Sequence, residues 1–369
     1  MKEKTKNIIL IISAAAVAYM ILCYGRASAA AVDGMELWVK NVLPALFPMF
    51  VISRILLDSG ASEKVSRRLR RPMTFIFRTG RNAAFAYFMS LLSGYPAGTK
   101  TVCDMYEKKL LGKRDAFVLL CLCSNPSAVF LIASIGGVFF KSDYAGILLL
   151  ASTYLSAFIS GLTASLLLPP EKDASGRHVQ AAQPRASAVF TSSVADAFGA
   201  VLNVGAFIIF FNVLVSAAGK AFVLLGLPEQ SFAAAVFTAF AEMAAGTRLI
   251  GAYYRAFPSL SLILCSGLTA FGGLCIFFQS LSFISATDLD SEKFFAFKLY
   301  QGALSAFITF ILYKTTSKLA SQCFSQSADS TFVSSNPLLF SLAAVMMVVA
   351  WIVIELAIYA KKRRQQCKR

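Results

Sequence analysis

Charged residues are absent from seven long stretches of the chain: 7–25, 82–99, 116–140, 144–170, 197–219, 256–287 and 330–354. A helix needs about 20 predominantly apolar residues to cross the hydrocarbon core of a bilayer. The pattern therefore predicts an all-α polytopic membrane protein with full spans near 8–24, 37–57, 116–140, 144–168, 194–218, 260–284, 294–314 and 337–359. Segments 82–112 and 231–254 are too interrupted for ordinary spans and are read as re-entrant hairpins that enter and leave by one face. The first breaks at Ser93-Gly94-Tyr95-Pro96-Ala97-Gly98, where proline lacks a backbone donor and glycine admits sharp turns. The second breaks around Glu242–Gly246.

Charge tests the direction of each crossing, because cytoplasmic loops collect Lys and Arg. With the N-terminus inside, 26 of the 35 basic residues fall on the inner side and 8 outside, with Arg54 left within a span. If both hairpins crossed fully, the split would be 20 to 14. The net charge of +16 does not point to nucleic acid, since the basic residues sit in blocks beside apolar segments rather than interleaved with aromatics. Eight cysteines lie mostly inside apolar runs, without a C-x-x-C pair or a nearby histidine. They read as small buried hydrophobes, and neither a metal nor a cofactor is expected. Lys2, Lys4 and Lys6 followed by Ile8–Leu22 and Ala27-Ser28-Ala29 have the parts of a signal peptide; an uncleaved signal-anchor is the preferred reading.

Two stretches match in a common order. Val42–Gly60 aligns with Val201–Gly219, Ala97-Gly98-Thr99-Lys100 with Ala245-Gly246-Thr247-Arg248, and Ser124–Ala128 with Ser266–Ala270, at offsets of 159, 148 and 142. Each copy holds a leading helix, a broken hairpin, a helix interrupted near its middle and a closing helix. Three full crossings per copy is an odd number, so the second copy enters from the opposite face and the repeat is inverted. Such halves with matching broken helices point to a secondary transporter with a midplane site. The expected organisation is an N-terminal signal-anchor helix (1–30), a first repeat (37–168), a cytoplasmic linker (169–193), a second repeat (194–315), a polar loop (316–336) and a C-terminal helix with a basic tail (337–369).

At Ser93–Lys100, at Ser124-Asn125-Pro126, and at Glu242…Gly246 with Phe271-Gly272-Gly273-Leu274…Gln279, the sequence resembles sporulation integral membrane proteins of the YlbJ type, within the nucleoside-recognition, or Gate, domain proteins. The likeness runs from about Trp38 to Tyr313, and S-G-Y-P-A-G is its most specific motif. The resemblance implies two Gate repeats on the inverted plan of concentrative nucleoside transporters. It also implies a part in spore formation, associated with passing dipicolinate, a small aromatic dianion, from mother cell toward forespore. The expected place is the cell membrane or the outer forespore membrane, with both termini cytoplasmic and a homo-oligomer compatible with the pattern. Nucleoside carriers resemble each other in having Gln and Glu in the first hairpin, where this chain has Tyr95, Pro96, Ala97 and Gly98.

A dianion stripped of water needs positive potential, which unpaired N–H groups at opened helix ends supply. Ser93, Gly94, Tyr95, Gly98 and Thr99, with Ser124, Asn125 and Ser127 opposite, are the expected substrate-binding side chains. Tyr95 offers a ring to stack on and a hydroxyl for a carboxylate. The bland alternative is a tight helix-packing turn of small residues. Lys100 and Arg248 follow the two breaks and serve either the substrate's carboxylates or the interfaces as anchors. Glu242, an acid at membrane depth, is a candidate coupling group or partner of Arg248, or else is simply solvated near the outer surface; Gly246 and Gln279 complete the candidate set. Asn203 and Asn212 bond either substrate or neighbouring helices. Enzyme activity is not expected: the single histidine, His178, lies in a loop and no H-E-x-x-H or G-x-S-x-G motif is present. The alternatives kept beside dipicolinate transport are a carrier of nucleosides or other small metabolites, and a non-transporting gate or scaffold subunit.

Overall fold

A computed structural model of the chain describes residues 17–59, 61–80, 82–169, 186–224 and 231–324, together with 14, 226 and 228. Part of the expected first helix (8–13, 15 and 16), the linker 170–185, the loop from 325 onward and the helix 337–359 lie outside the described residues. Within them the chain is helical, joined by turns and short extended pieces.

Helix α1 (Tyr24–Leu37) runs through a π-helical turn (Trp38–Val42) into α2 (Leu43–Asp58), and the two arms meet at 49°. Residues 25–36, expected as a connection between spans, are therefore helical. Helix α3 (Ala61–Phe77) buries Met73 and Phe77, so the stretch expected to be a basic loop is a helix with an apolar side. The first hairpin follows as α4 (Ala83–Ser93) and α5 (Ala97–Glu107), with the break at Gly94-Tyr95-Pro96. Gly94 has φ of +71°, a conformation that a side chain resists.

The expected span 116–140 is interrupted near its middle, at Ser124-Asn125-Pro126. It is α6 (Lys113–Cys123), an extended piece at 124–127, and a π-helix (Phe130–Phe140). Asn125-Pro126 ends α6, because the residue before proline is pushed out of the helical region. Helix α7 (Asp143–Leu167) starts on Ser142, whose hydroxyl accepts from the Ala145 N–H at 3.2 Å.

Helix α8 (Ala186–Leu224) is longer than the expected 194–218 and takes up the end of the expected linker. The second hairpin is α9 (Phe232–Ala241) and α10 (Met243–Ala252), broken at Glu242. An interrupted helix follows as α11 (Pro258–Phe271) and α12 (Gly273–Ile284), and α13 (Ser291–Phe324) closes the described chain. By length and composition, Asp143–Leu167, Ala188–Lys220, Pro258–Ile284 and Ser291–Thr316 suffice to cross a membrane, and the bent pair α1–α2 would add a fifth.

Among the described residues, three apolar clusters hold the bundle. One packs α4, α6 and α3 around Phe77, Phe85 and Leu119; a second packs the π-helix, α7, α9 and α11 around Leu131, Leu149 and Leu262; a third packs α2 against α8 through Phe50, Val201 and Phe211. Cys123 belongs to the first, Ala128 to the second and Ala97 to the third. The interruption at 124–127 therefore lies where all three meet.

Candidate functional site

The backbone of the first hairpin tip docks on that interruption. The Tyr95 N–H donates to the Asn125 carbonyl at 2.6 Å, and a Cβ on Gly94 would stand 2.5 Å from Ser127 N. Gly98 lies so close to the Cys123 carbonyl and to Ser90 that no larger residue fits without a shift. The buried Tyr95 side chain reaches further, its hydroxyl donating to the Thr269 carbonyl on α11 at 3.3 Å. On the other side the tip of the second hairpin docks on the second interruption, where Gly272 and Gly273 have φ of +95° and +70°. A Cβ on Gly273 would meet the Ala239 carbonyl at 3.1 Å and Met243 N at 3.2 Å. Gly246 packs against Ala239 in its own hairpin as Gly98 does against Ser90.

Lys298 of α13 joins the two interruptions. It is buried, and its Nζ donates to the Ser124 carbonyl at 2.6 Å, the Ala270 carbonyl at 2.6 Å and Gln301 Oε1 at 2.8 Å. Gln301 Nε2 donates in turn to Asn125 Oδ1 at 2.5 Å. Lys298 was counted among the cytoplasmic loop charges; the structure corrects that, and Arg114 with it. Arg114 is buried and donates to the Arg78, Ser165 and Leu168 carbonyls, tying α6 to the ends of α3 and α7. A hydrogen-bonding load of this kind marks a structural cation rather than a solvated anchor. The missed signal in the sequence was a lysine and an amide three residues apart, with Lys298 already four residues inside a predicted span.

The remaining expected residues divide. Asn125 is held by Gln301 and by its own bond to the Leu122 carbonyl at 2.6 Å. The Ser127 hydroxyl accepts from the Phe130 N–H, and Ser93 donates to the Met89 carbonyl of its own helix. Thr99 is fully buried with its hydroxyl unpartnered among the described residues. The N-terminus of α5 beside it has no side-chain cap.

Glu242 is buried, so the solvated position does not hold. Its carboxylate accepts from the Ala244 and Ala245 N–H groups at 3.1 and 2.6 Å and caps α10. The two hairpins thus differ: the N-terminal end of the second arm is occupied by the chain's own anion, and that of the first is not. Arg248 is exposed and makes no ion pair with Glu242 among the described residues. Gln279 is buried and donates to Cys275 Sγ of its own helix. Asn203 donates to Ser282 Oγ across helices, whereas Asn212 bonds within its own.

Lys100 turns away from the tips. It pairs with Asp104 at 2.9 Å and lines a cavity of about 400 Å³ with Arg54, Glu107, Asp196, Asn203 and Phe283. Arg54 bridges three acids from three helices, Asp58, Asp104 and Asp196, at 3.2, 3.4 and 3.1 Å. Lys108 contacts Asp58 in the same network. The span charge set aside in the sequence is thus the hub of an ionic cluster.

The interruptions at Ser124-Asn125 and Gly272-Gly273 stand 148 residues apart, the offset that also relates the two hairpins. The sequence match of Ser124–Ala128 with Ser266–Ala270 paired an interruption with an intact helix. Residues 39–140, covering the first hairpin and the first interrupted helix, match the Gate family model, described as nucleoside recognition. The chain is similar to the sporulation integral membrane protein YlbJ of Bacillus subtilis (strain 168), at 25% identity over 312 residues, 76% of each chain. The resemblance read from the S-G-Y-P-A-G motif is thereby met by an independent match. No solved structure matches the chain.

Proposed function

We propose that this protein is a membrane transporter of the spore-formation pathway that moves a small aromatic dianion, dipicolinate, from the mother cell across the outer forespore membrane. In this reading residues 37–168 and 194–315 are inverted halves, with both termini cytoplasmic. The observation that carries it is the meeting of broken helices. Tyr95 ties the first hairpin to the first interruption through its N–H and to α11 through its hydroxyl, and Lys298 bonds carbonyls at both interruptions. Irregular backbone at membrane depth is tolerated where it is buried in protein or lines a wet cavity. Carriers place substrate at such meeting points.

In this reading the substrate is an anion, and the supporting features are the α5 N-terminus, which has no side-chain cap, and the buried Thr99 hydroxyl. The uncapped N-terminus of α5 and the unpartnered Thr99 hydroxyl are suited to one carboxylate. Tyr95 and Gly98 border that end. On the opposite side Ser124, Asn125 and Ser127 form the wall, and Glu242, Gly246 and Gln279 belong to the second half's contribution. Part of the chain matches a model described as nucleoside recognition, so nucleoside transport is the second reading. The deciding experiment is flux of labelled dipicolinate against labelled uridine into liposomes holding the purified protein. Uridine alone moving overturns the dianion. Movement of neither, by correctly inserted protein, leaves a gate or scaffold subunit in place of a carrier.

A further inference from the structure

Lys298 stands roughly 10 Å along α13 from Ser291, inside a segment long and apolar enough to cross a membrane. No carboxylate pairs with it among the described residues. Its three donors are matched by three oxygens, those of the Ser124, Ala270 and Gln301 groups. The two carbonyls have a common origin. Ser124 closes α6 and Ala270 lies in the last turn of α11. Carbonyls in a helix's last turn lack partners within the helix and carry the negative end of its dipole. Two such ends, one from each interrupted helix, therefore point at one ammonium. Asn125 orients the third oxygen through Gln301.

Cages of unwound carbonyls and helix C-termini at the midplane are the chemistry by which carriers with interrupted helices hold Na⁺. Here the cage is full. We propose that the Lys298 ammonium is a resident cation, seated in the oxygen cage between α6 and α11 in the place of a free monovalent coupling ion. The positive charge then travels with α13 and is present whatever the salt. The protein consequently works without Na⁺ or K⁺, and emptying the cage creates a site for one of them. The transport part rests on the carrier reading above; the cage itself does not.

The test compares the parent, Lys298→Ala and Lys298→Met in NaCl, KCl and choline chloride at equal ionic strength. Purified protein is melted in detergent, and dipicolinate flux is measured in liposomes. The parent is expected to melt and to transport alike in all three salts. Lys298→Ala, with the cage emptied, is expected to melt several degrees higher in NaCl or KCl than in choline. Lys298→Met fills the space without charge and is expected to show no preference. A several-fold drop in parental flux in choline overturns the proposal. So does Lys298→Ala protein that ignores the alkali cations, or that stays unfolded in all three salts. A parent that moves no dipicolinate in any salt removes the dianion reading, and the melting comparison still decides the cage.

Discussion

Gly98→Ala is the sharpest single perturbation of the proposed meeting point. A Cβ there would stand 2.8 Å from Ser90 Cβ, 0.6 Å inside the 3.4 Å at which ordinary contact begins, and closer still to the Cys123 carbonyl. Ser90 sits on the opposing arm of the hairpin, and Cys123 is the last residue of α6 before the interruption. Neither yields alone. Moving the Cys123 carbonyl moves Asn125, which is held by the Tyr95 N–H and by Gln301. Overpacking of this kind costs typically 1–3 kcal/mol. If the cost falls on the docked arrangement of hairpin and interruption, that arrangement loses roughly 5- to 150-fold in population. The assay is thermal unfolding of purified protein together with dipicolinate flux at equal protein amounts. Gly25→Ala serves as control, because a Cβ there meets nothing within 4 Å and alanine favours the helix by about 0.5–1 kcal/mol. Gly98→Ala protein that matches the parent in both stability and flux would refute the reasoning.

Gly246→Ala is expected to destabilise at least as much as Gly98→Ala, since its Cβ would run into the Ala239 backbone; Gly199→Ala, in open space on a helix, should melt no lower than the parent. Tyr95→Phe loses the bond to the Thr269 carbonyl and should cost about 0.5–1.5 kcal/mol in denaturant unfolding. Arg54→Gln leaves Asp104 and Asp196 without their shared cation. Its loss of stability should be largest at low ionic strength and shrink as NaCl is added, because the partly exposed pairs are screened. Lys113 and the Tyr106 hydroxyl hold the exposed Asp288 carboxyl below the usual carboxylate range. A lowered folded value means stability present above the unfolded pKa of about 3.9 and lost as pH falls through the lower folded one. Melting curves of the parent and Asp288→Asn should therefore differ at pH 7 and converge in acid, and a constant gap would dismiss the linkage.

Much of the architecture was legible because lipid imposes a length rule and a backbone rule that act locally. Uncharged runs of sufficient length gave helices 143–167 and 258–284 close to their observed ends, and the largely apolar run at 294–314 gave most of 291–316. Proline and glycine announced the breaks at Gly94–Pro96, Asn125-Pro126 and Gly272-Gly273, since both residue types act on their own few bonds. What could not be read was which charges are solvated. Lys298 and Arg114 read as loop charges and Arg54 as a lone charge inside a span, yet each is held by acceptors from segments far along the chain. Glu242 likewise carried no mark distinguishing a helix cap from a free acid.

The amino-acid order by itself determined helices, their interruptions and the apolar solvent they require, because those follow from residue type within a turn or two. The tertiary structure alone decided that the interruptions share one place and that a lysine fills the gap between two helix ends. Distance between remote segments is set by packing of whole helices, and no local pattern encodes it.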